Sequence, residues 1–315
     1  MTLDPQAAAL RDALLARAAP PLEQMSVPQA RQAVMAYTQM QGEPEAVAEV
    51  RDLLVPGPAG ALPVRVYLPA GERPAPLVVY FHGGGWVIGN IELVDRPCRA
   101  LANASGAVVA SVEYRRSPET KYPGPAEDAH AATRWLSEHA GELSADPGRV
   151  VVAGDSAGGN LAAITALMAR DRGGPAIALQ VLIYPVTAPT AGSAFASYEE
   201  NAEGYQLTRA AMEWFWYHYV PTPEDAARAP YASPLLADDL RDLPPAVVIV
   251  AGYDPLRDEG VAYAQRLTEC GVKARLRRFD GQMHGFFWFT GMLDAASEAA
   301  GEIGAAIRAL EGKRT

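Results

Sequence analysis

Five short uncharged runs recur along the chain and constrain its fold more than any other feature: Leu77–Phe81, Ala107–Val112, Val150–Ala153, Leu179–Tyr184 and Ala246–Ala251. Val, Leu and Ile dominate them without an apolar/polar alternation, as in strands buried on both faces of a parallel sheet. Between them, Ala126–His139, Leu161–Asp171 and Arg257–Cys270 carry helical spacing, and Ala295–Leu310 reads as a closing helix. This βαβα order predicts an α/β fold built on an open, mostly parallel sheet with helices on both faces. Upstream, Leu62, Val64, Val66 and Leu68 alternate with Pro63, Arg65 and Tyr67, the period of a half-buried antiparallel strand.

Two stretches break the alternation. Residues 1–45 are helical in pattern and precede any strand, and residues 188–240 separate two core strands without a strand of their own. Within the second, Thr208–Tyr219 has helical spacing and is rich in aromatics. An insertion this long is more often functional than a plain loop. The two stretches read together as a helical cap over the strand ends, against the plainer alternative of a peripheral helical layer. The organisation expected is therefore cap (1–45), core (46–187), cap insertion (188–240) and core (241–315). Pro20–Pro21 and Pro56–Pro58 read as connections.

Composition narrows the function. The 315 residues are 49% hydrophobic and 20% charged, with a net charge of −10, which argues against a protein that binds nucleic acid by neutralising phosphates. Two cysteines, Cys98 and Cys270, allow one bridge without implying it and exclude a disulfide scaffold or an iron–sulfur cluster. No targeting segment or span of about 18 apolar residues is visible, so the expectation is a cytoplasmic protein with no membrane span.

The chemistry sits at the ends of the apolar runs. Gly154-Asp155-Ser156-Ala157-Gly158 fits G-x-S-x-G and follows one run directly, before a helical segment. A serine on such a strand-to-helix turn is thrust out of the sheet, next to a helix N-terminus that favours developing negative charge. His82-Gly83-Gly84-Gly85-Trp86 follows another run. Its bare N–H groups, those of Gly83 and Gly84 together with that of Ala157, form the expected oxyanion hole. A phosphate cradle is the alternative, but no G-x-x-x-x-G-K-[ST] pattern or nearby lysine supports it.

A serine alcohol needs a base and the base an orienting carboxylate. Of the five histidines, His130 and His139 fall in a helical segment, His218 in the aromatic helix and His82 in the glycine loop. His284, in a loop before the last helix, is the expected base. Asp254, just after the run Ala246–Ala251, is the expected carboxylate, with Asp258 as its rival. Glu119 and Asp128 are further acids that either brace the glycine loop or serve at helix starts and the surface. The order Ser156, Asp254, His284 matches α/β-hydrolases.

Together, HGGGW, GDSAGG, Asp254–Gly260 (DPLRDEG), Met283–Phe286 (MHGF) and Tyr114–Glu119 (YRRSPE) resemble the motifs of the bacterial hormone-sensitive-lipase-like carboxylesterases, family IV of the lipolytic enzymes. The resemblance runs from about residue 60 to the C-terminus. It implies an α/β-hydrolase fold with an eight-stranded sheet and a helical cap, and hydrolysis of short- to medium-chain esters without metal or organic cofactor. The last strand of this family often meets a twin across a two-fold axis, so the resemblance allows a homodimer through it; Lys273, Arg275, Arg277 and Arg278 on that strand read as guards of an edge, with an anion patch as the alternative. A small-molecule ester is the expected partner. Trp86, Tyr184, Trp214, Phe215, Phe286 and Phe287 lie near these motifs or in the insertion and are the candidate pocket lining, with core packing as the alternative for each. An amidase or peptidase on the same fold remains open. So does a non-catalytic receptor, although plant gibberellin receptors, which resemble this family, lack the catalytic histidine.

Overall fold

The computed structural model describes residues 2–310 except 18, 192, 223 and 226–228. Eight strands form one sheet: β1 (Glu49–Gly57), β2 (Gly60–Leu68), β3 (Ala75–Phe81), β4 (Val108–Val112), β5 (Ala145–Asp155), β6 (Leu179–Ile183), β7 (Ala246–Tyr253) and β8 (Ala274–Met283). They lie in the order β1-β2-β4-β3-β5-β6-β7-β8. β2 runs antiparallel to β1 and to β4, and every other pairing is parallel. β3, β4 and β6 are buried at every position, which is why their sequences do not alternate.

The helices are α1 (Pro5–Leu15), α2 (Val27–Met35), α3 (Asp95–Ser105), α4 (Gly124–Glu138), α5 (Ala157–Arg172), α6 (Ser197–Glu200), α7 (Arg209–Tyr219), α8 (Arg257–Glu269) and α9 (Asp294–Arg308). Thr208 caps α7, its hydroxyl accepting from Ala211 N–H. α3 packs on α9 and α4 on α5. Residues 1–45 contribute α1 and α2, and residues 188–240 contribute α6 and α7 with no strand among the described residues.

Two elements have no counterpart in the sequence pattern. One is β1, and Pro56 belongs to it, paired with Ala61, rather than to a connection. β1 ends the sheet, where a missing N–H is tolerated. The other is α3. Pro97 stands in its first turn, where proline is allowed, and its buried face is mostly small: Cys98, Ala100, Leu101, Ala102 and Ser105. Cys98 and Cys270 are both free.

The parallel register sets up the site. Phe81 pairs with Gly154, Asp155 with Ile183, and Tyr253 with Met283. The residues that follow β3, β5, β7 and β8, namely His82, Ser156, Asp254 and His284, therefore emerge at the same end of the sheet, beyond the carboxyl ends of the strands.

Candidate active site

Ser156 occupies the turn between β5 and α5 with φ 56° and ψ −120°, a conformation side chains rarely adopt. Surrounding bonds hold it there. Its N–H donates to Ile183 O at 2.8 Å, and its carbonyl accepts from Asn160 N at 3.0 Å. A Cβ at Gly158 would lie 1.9 Å from Phe81 O, so α5 and the end of β3 meet backbone to backbone. That close approach is the physical reason for glycine at this position.

Three side chains from three loops meet above the sheet. His284 Nδ1 lies 2.7 Å from Asp254 Oδ2, and His284 Nε2 lies 3.0 Å from Ser156 Oγ. Asp254 is fully buried, while Ser156 and His284 keep 5% and 7% of their surface exposed, enough for Oγ to face an open cavity. Leu256 N–H donates to Asp254 Oδ1 at 2.9 Å, fixing the carboxylate. Asp258 turns elsewhere, accepting from Ser197 N–H and pairing with Arg257. β8 extends to Met283, so His284 follows a strand end directly rather than standing deep in a loop.

The donors for an oxyanion differ from those expected. Gly83 N–H donates to Asp155 Oδ1 at 3.0 Å, and that bond removes Gly83 from the expected set. Among the described residues, the N–H groups of Gly84, Gly85 and Ala157 donate to no protein acceptor. Gly84 (φ 115°) and Gly85 (φ 57°) line a cavity of about 360 Å³ together with Ser156 and His284. Ala157 opens α5, where N–H groups have no partner within the helix.

The cavity walls come from residues 11–37 and 204–215 as well as from the loops at that end of the sheet. A family model described as the α/β hydrolase fold matches residues 78–288. Esterase LipI of Mycobacterium tuberculosis is 43% identical over 261 residues, covering 79% of this chain and 78% of that protein. The chain belongs to the hormone-sensitive-lipase-like carboxylesterases of the α/β-hydrolase fold. The ethyl acetate hydrolase of Pseudomonas putida is 38% identical to the esterase over 260 residues, covering 81% of this chain and 80% of that protein. Among solved structures, the hyperthermophilic esterase of Pyrobaculum calidifontis superposes with a TM-score of 0.90 at 45% identity, covering 98% of each chain.

Of the six aromatics proposed from the sequence, only Phe215 lines the cavity of the esterase. Trp86 is buried, stacked on Tyr219 at 4.0 Å and bonded through Nε1 to Asn160 Oδ1 at 3.3 Å. Phe286 and Phe287 are fully buried in a short turn after His284, and Tyr184 lies behind the His284 ring at 4.6 Å. Trp214 packs edge-on to Phe215 and His218. These five are packing residues. Helical and loop spacing alone does not separate them from Phe215, because which ring faces the cavity depends on neighbours distant in sequence. A Cβ at Gly85 would lie 2.1 Å from the Phe215 ring, so Phe215 sits on that loop.

Sequence reasoning missed several residues around the site. Tyr37, Leu207 and Trp288 line the cavity. Asp155 is fully buried and accepts from Tyr80 Oη at 2.7 Å and Trp288 Nε1 at 2.8 Å, besides Gly83. Burial pushes its carboxyl up to about 6, although these donors and nearby His284 pull the other way. Neither Glu119 nor Asp128 braces the glycine loop. Glu119 pairs with Arg31 of α2, and Asp128 with Arg115. Tyr114 does brace it, stacked on His82 at 4.3 Å and donating to His82 O at 2.8 Å. The His82 ring is fully buried beside the loop with Nδ1 2.8 Å from Gly83 O, and burial lowers its pKa. Among the described residues no group of three or more His, Cys, Asp or Glu could hold a metal ion, and no helix is long and apolar enough to cross a membrane.

Proposed function

We propose that the esterase cleaves short- to medium-chain carboxylic esters through an acyl-serine intermediate, with Ser156 as nucleophile, His284 as base and then acid, and Asp254 as the orienting carboxylate. The observation that carries this reading is the unbroken chain from Asp254 to His284 to Ser156, at 2.7 and 3.0 Å, on the wall of an open cavity. Ser156 Oγ attacks the ester carbonyl while His284 Nε2 takes its proton. Asp254 holds Nδ1–H and stabilises the imidazolium. The N–H groups of Gly84, Gly85 and Ala157 receive the oxyanion; one such donor contributes about 2.7–4 kcal/mol. His284 then protonates the departing alcohol, and water hydrolyses the acyl-serine by the same route in reverse roles.

The substrate range rests on the cavity. At about 360 Å³ and walled by Leu14, Leu22, Met25, Val34, Leu207 and Phe215, it suits an acyl chain of a few carbons. Residues 1–45 and 188–240 act as its cap. The relatives named esterase and ethyl acetate hydrolase support this class. A cytoplasmic location and a homodimer paired through β8 complete the proposal. One experiment tests the chemistry and the range together. Wild type and Ser156→Ala are assayed on p-nitrophenyl esters from acetate to palmitate. The expected result is a wild-type optimum at short acyl chains and loss of at least about 10³-fold in Ser156→Ala. Turnover retained by Ser156→Ala overturns the nucleophile, and a palmitate optimum overturns the range.

A further inference from the structure

The acyl-transfer chemistry makes no use of the Asp155 carboxylate, yet this fully buried group stands next to the nucleophile. An ionised carboxylate in such a place is costly unless it is fully hydrogen-bonded. Here both oxygens accept. Oδ1 takes the Tyr80 hydroxyl at 2.7 Å and the Gly83 N–H at 3.0 Å, and Oδ2 takes the Trp288 indole N–H at 2.8 Å. The three donors come from separate parts of the chain. Tyr80 lies in β3, one residue before its end, Gly83 belongs to the glycine loop that follows, and Trp288 lies in the turn that follows His284. A Cβ at Gly83 would lie 2.1 Å from Asp155 Oδ2, so the loop rests directly on the carboxylate.

We propose that Asp155 is a positioning residue that sets the glycine loop and the His284 loop in register with Ser156, so that the oxyanion donors, the base and the nucleophile share one anchor. The inference rests on the triad reading above. Gly84 and Gly85 follow Gly83 with no donor bond to protein of their own; the Gly83 bond holds the loop on the Ser156 side, and the Val87 and Ile88 N–H groups on Gly84 O at 3.0 and 2.9 Å hold its far side. The Trp288 bond does the same for the far side of the His284 loop. Such anchoring acts on the transition state more than on ground-state binding, because the oxyanion exists only there.

The chemistry of the two oxygens gives the test. Asparagine in place of Asp155 keeps an acceptor for Tyr80 and Gly83 but presents an NH₂ group to the Trp288 N–H, donor against donor. Asp155→Asn is expected to lower kcat on p-nitrophenyl acetate by about 50-fold or more with KM within about threefold. Removing the opposing donor, in Asp155→Asn/Trp288→Phe, is expected to recover kcat at least tenfold over Asp155→Asn. Stoichiometric labelling of Ser156 by an organophosphonate in both variants shows that the nucleophile is intact, which separates failure of this proposal from failure of the triad reading. A kcat for Asp155→Asn within threefold of wild type, or no recovery in the double variant, overturns it. Should Asp155→Asn not fold, Tyr80→Phe and Trp288→Phe decide: a lower kcat in both supports the anchor, and an unchanged kcat in either one overturns it.

Discussion

Glu259 shows how a single buried group shapes this molecule beyond catalysis. It lies fully buried below the segment that leaves β6, accepting from Thr187 N–H at 2.6 Å and Ala188 N–H at 3.3 Å, with the Tyr198 hydroxyl at 2.9 Å. Burial raises its carboxyl from the ordinary 4.5 to about 8. The folded state thus keeps a proton that the unfolded chain releases, so the stability that Glu259 contributes is fully present below about 4.5 and is lost as pH rises through about 8. A neutral amide of the same shape has no such slope. Glu259→Gln is therefore expected to gain on wild type by about 5 °C or more in melting temperature between pH 5 and pH 9. A difference that does not change with pH contradicts the assignment. At this scale the sequence exposes what local rules govern. Ser156, Asp254 and His284 are legible because each follows a strand end within a recognisable motif. The wall of the cavity is not, because Phe215 and Trp86 differ only in which neighbours the fold brings to them.

At the scale of elements, the same distinction separates β3 and β5–β7 from β1 and α3. Strands buried on both faces announce themselves as apolar runs, whereas β1, half exposed and carrying Pro56, has no such run. The role of α2 was equally hidden, since it depends on contacts 56 to 88 residues away in sequence. Its Arg31 donates through Nε to Val87 O at 2.8 Å, through Nη2 to Ser117 O at 2.9 Å, and through both Nη atoms to the Glu119 carboxylate at 2.8 and 2.7 Å. These bonds pin α2, whose Ala30, Ala33 and Val34 wall the cavity, to the segments after β3 and β4. Arg31→Ala is expected to raise KM for p-nitrophenyl butyrate about tenfold, equivalent to ~1.4 kcal/mol. Glu119→Ala leaves both carbonyl bonds in place, and its carboxylate is largely solvent-exposed, so a change under about threefold is expected. Equal effects in the two variants would mean that the ion pair, not the carbonyl bonds, holds α2.

Across the whole molecule, helices pack on the faces of the sheet and β1 and β8 form its two edges, the end of β8 taking the Asp4 N–H on Gly281 O at 2.9 Å. β8 forms one edge, and Arg275 and Arg277 lie along it, paired with Glu302 and Glu298 of α9. Charged side chains on an edge strand discourage promiscuous pairing, and the proposed dimer has its own test. Light scattering is expected to return twice the 33.5 kDa chain mass; a mass of one chain removes β8 as an interface. The parallel pairing of β5 to β8 also brings Ser156, Asp254 and His284 together, since the residues that follow those strands leave the sheet at the same end. The most direct measurement is therefore chemical. The esterase is treated with a p-nitrophenyl organophosphonate, and the adduct is located by peptide mass spectrometry. One phosphonate per chain is expected, on the peptide bearing Ser156, with loss of ester turnover in step and slowed labelling in His284→Ala. Full labelling at another residue, or turnover that persists with Ser156 modified, contradicts it.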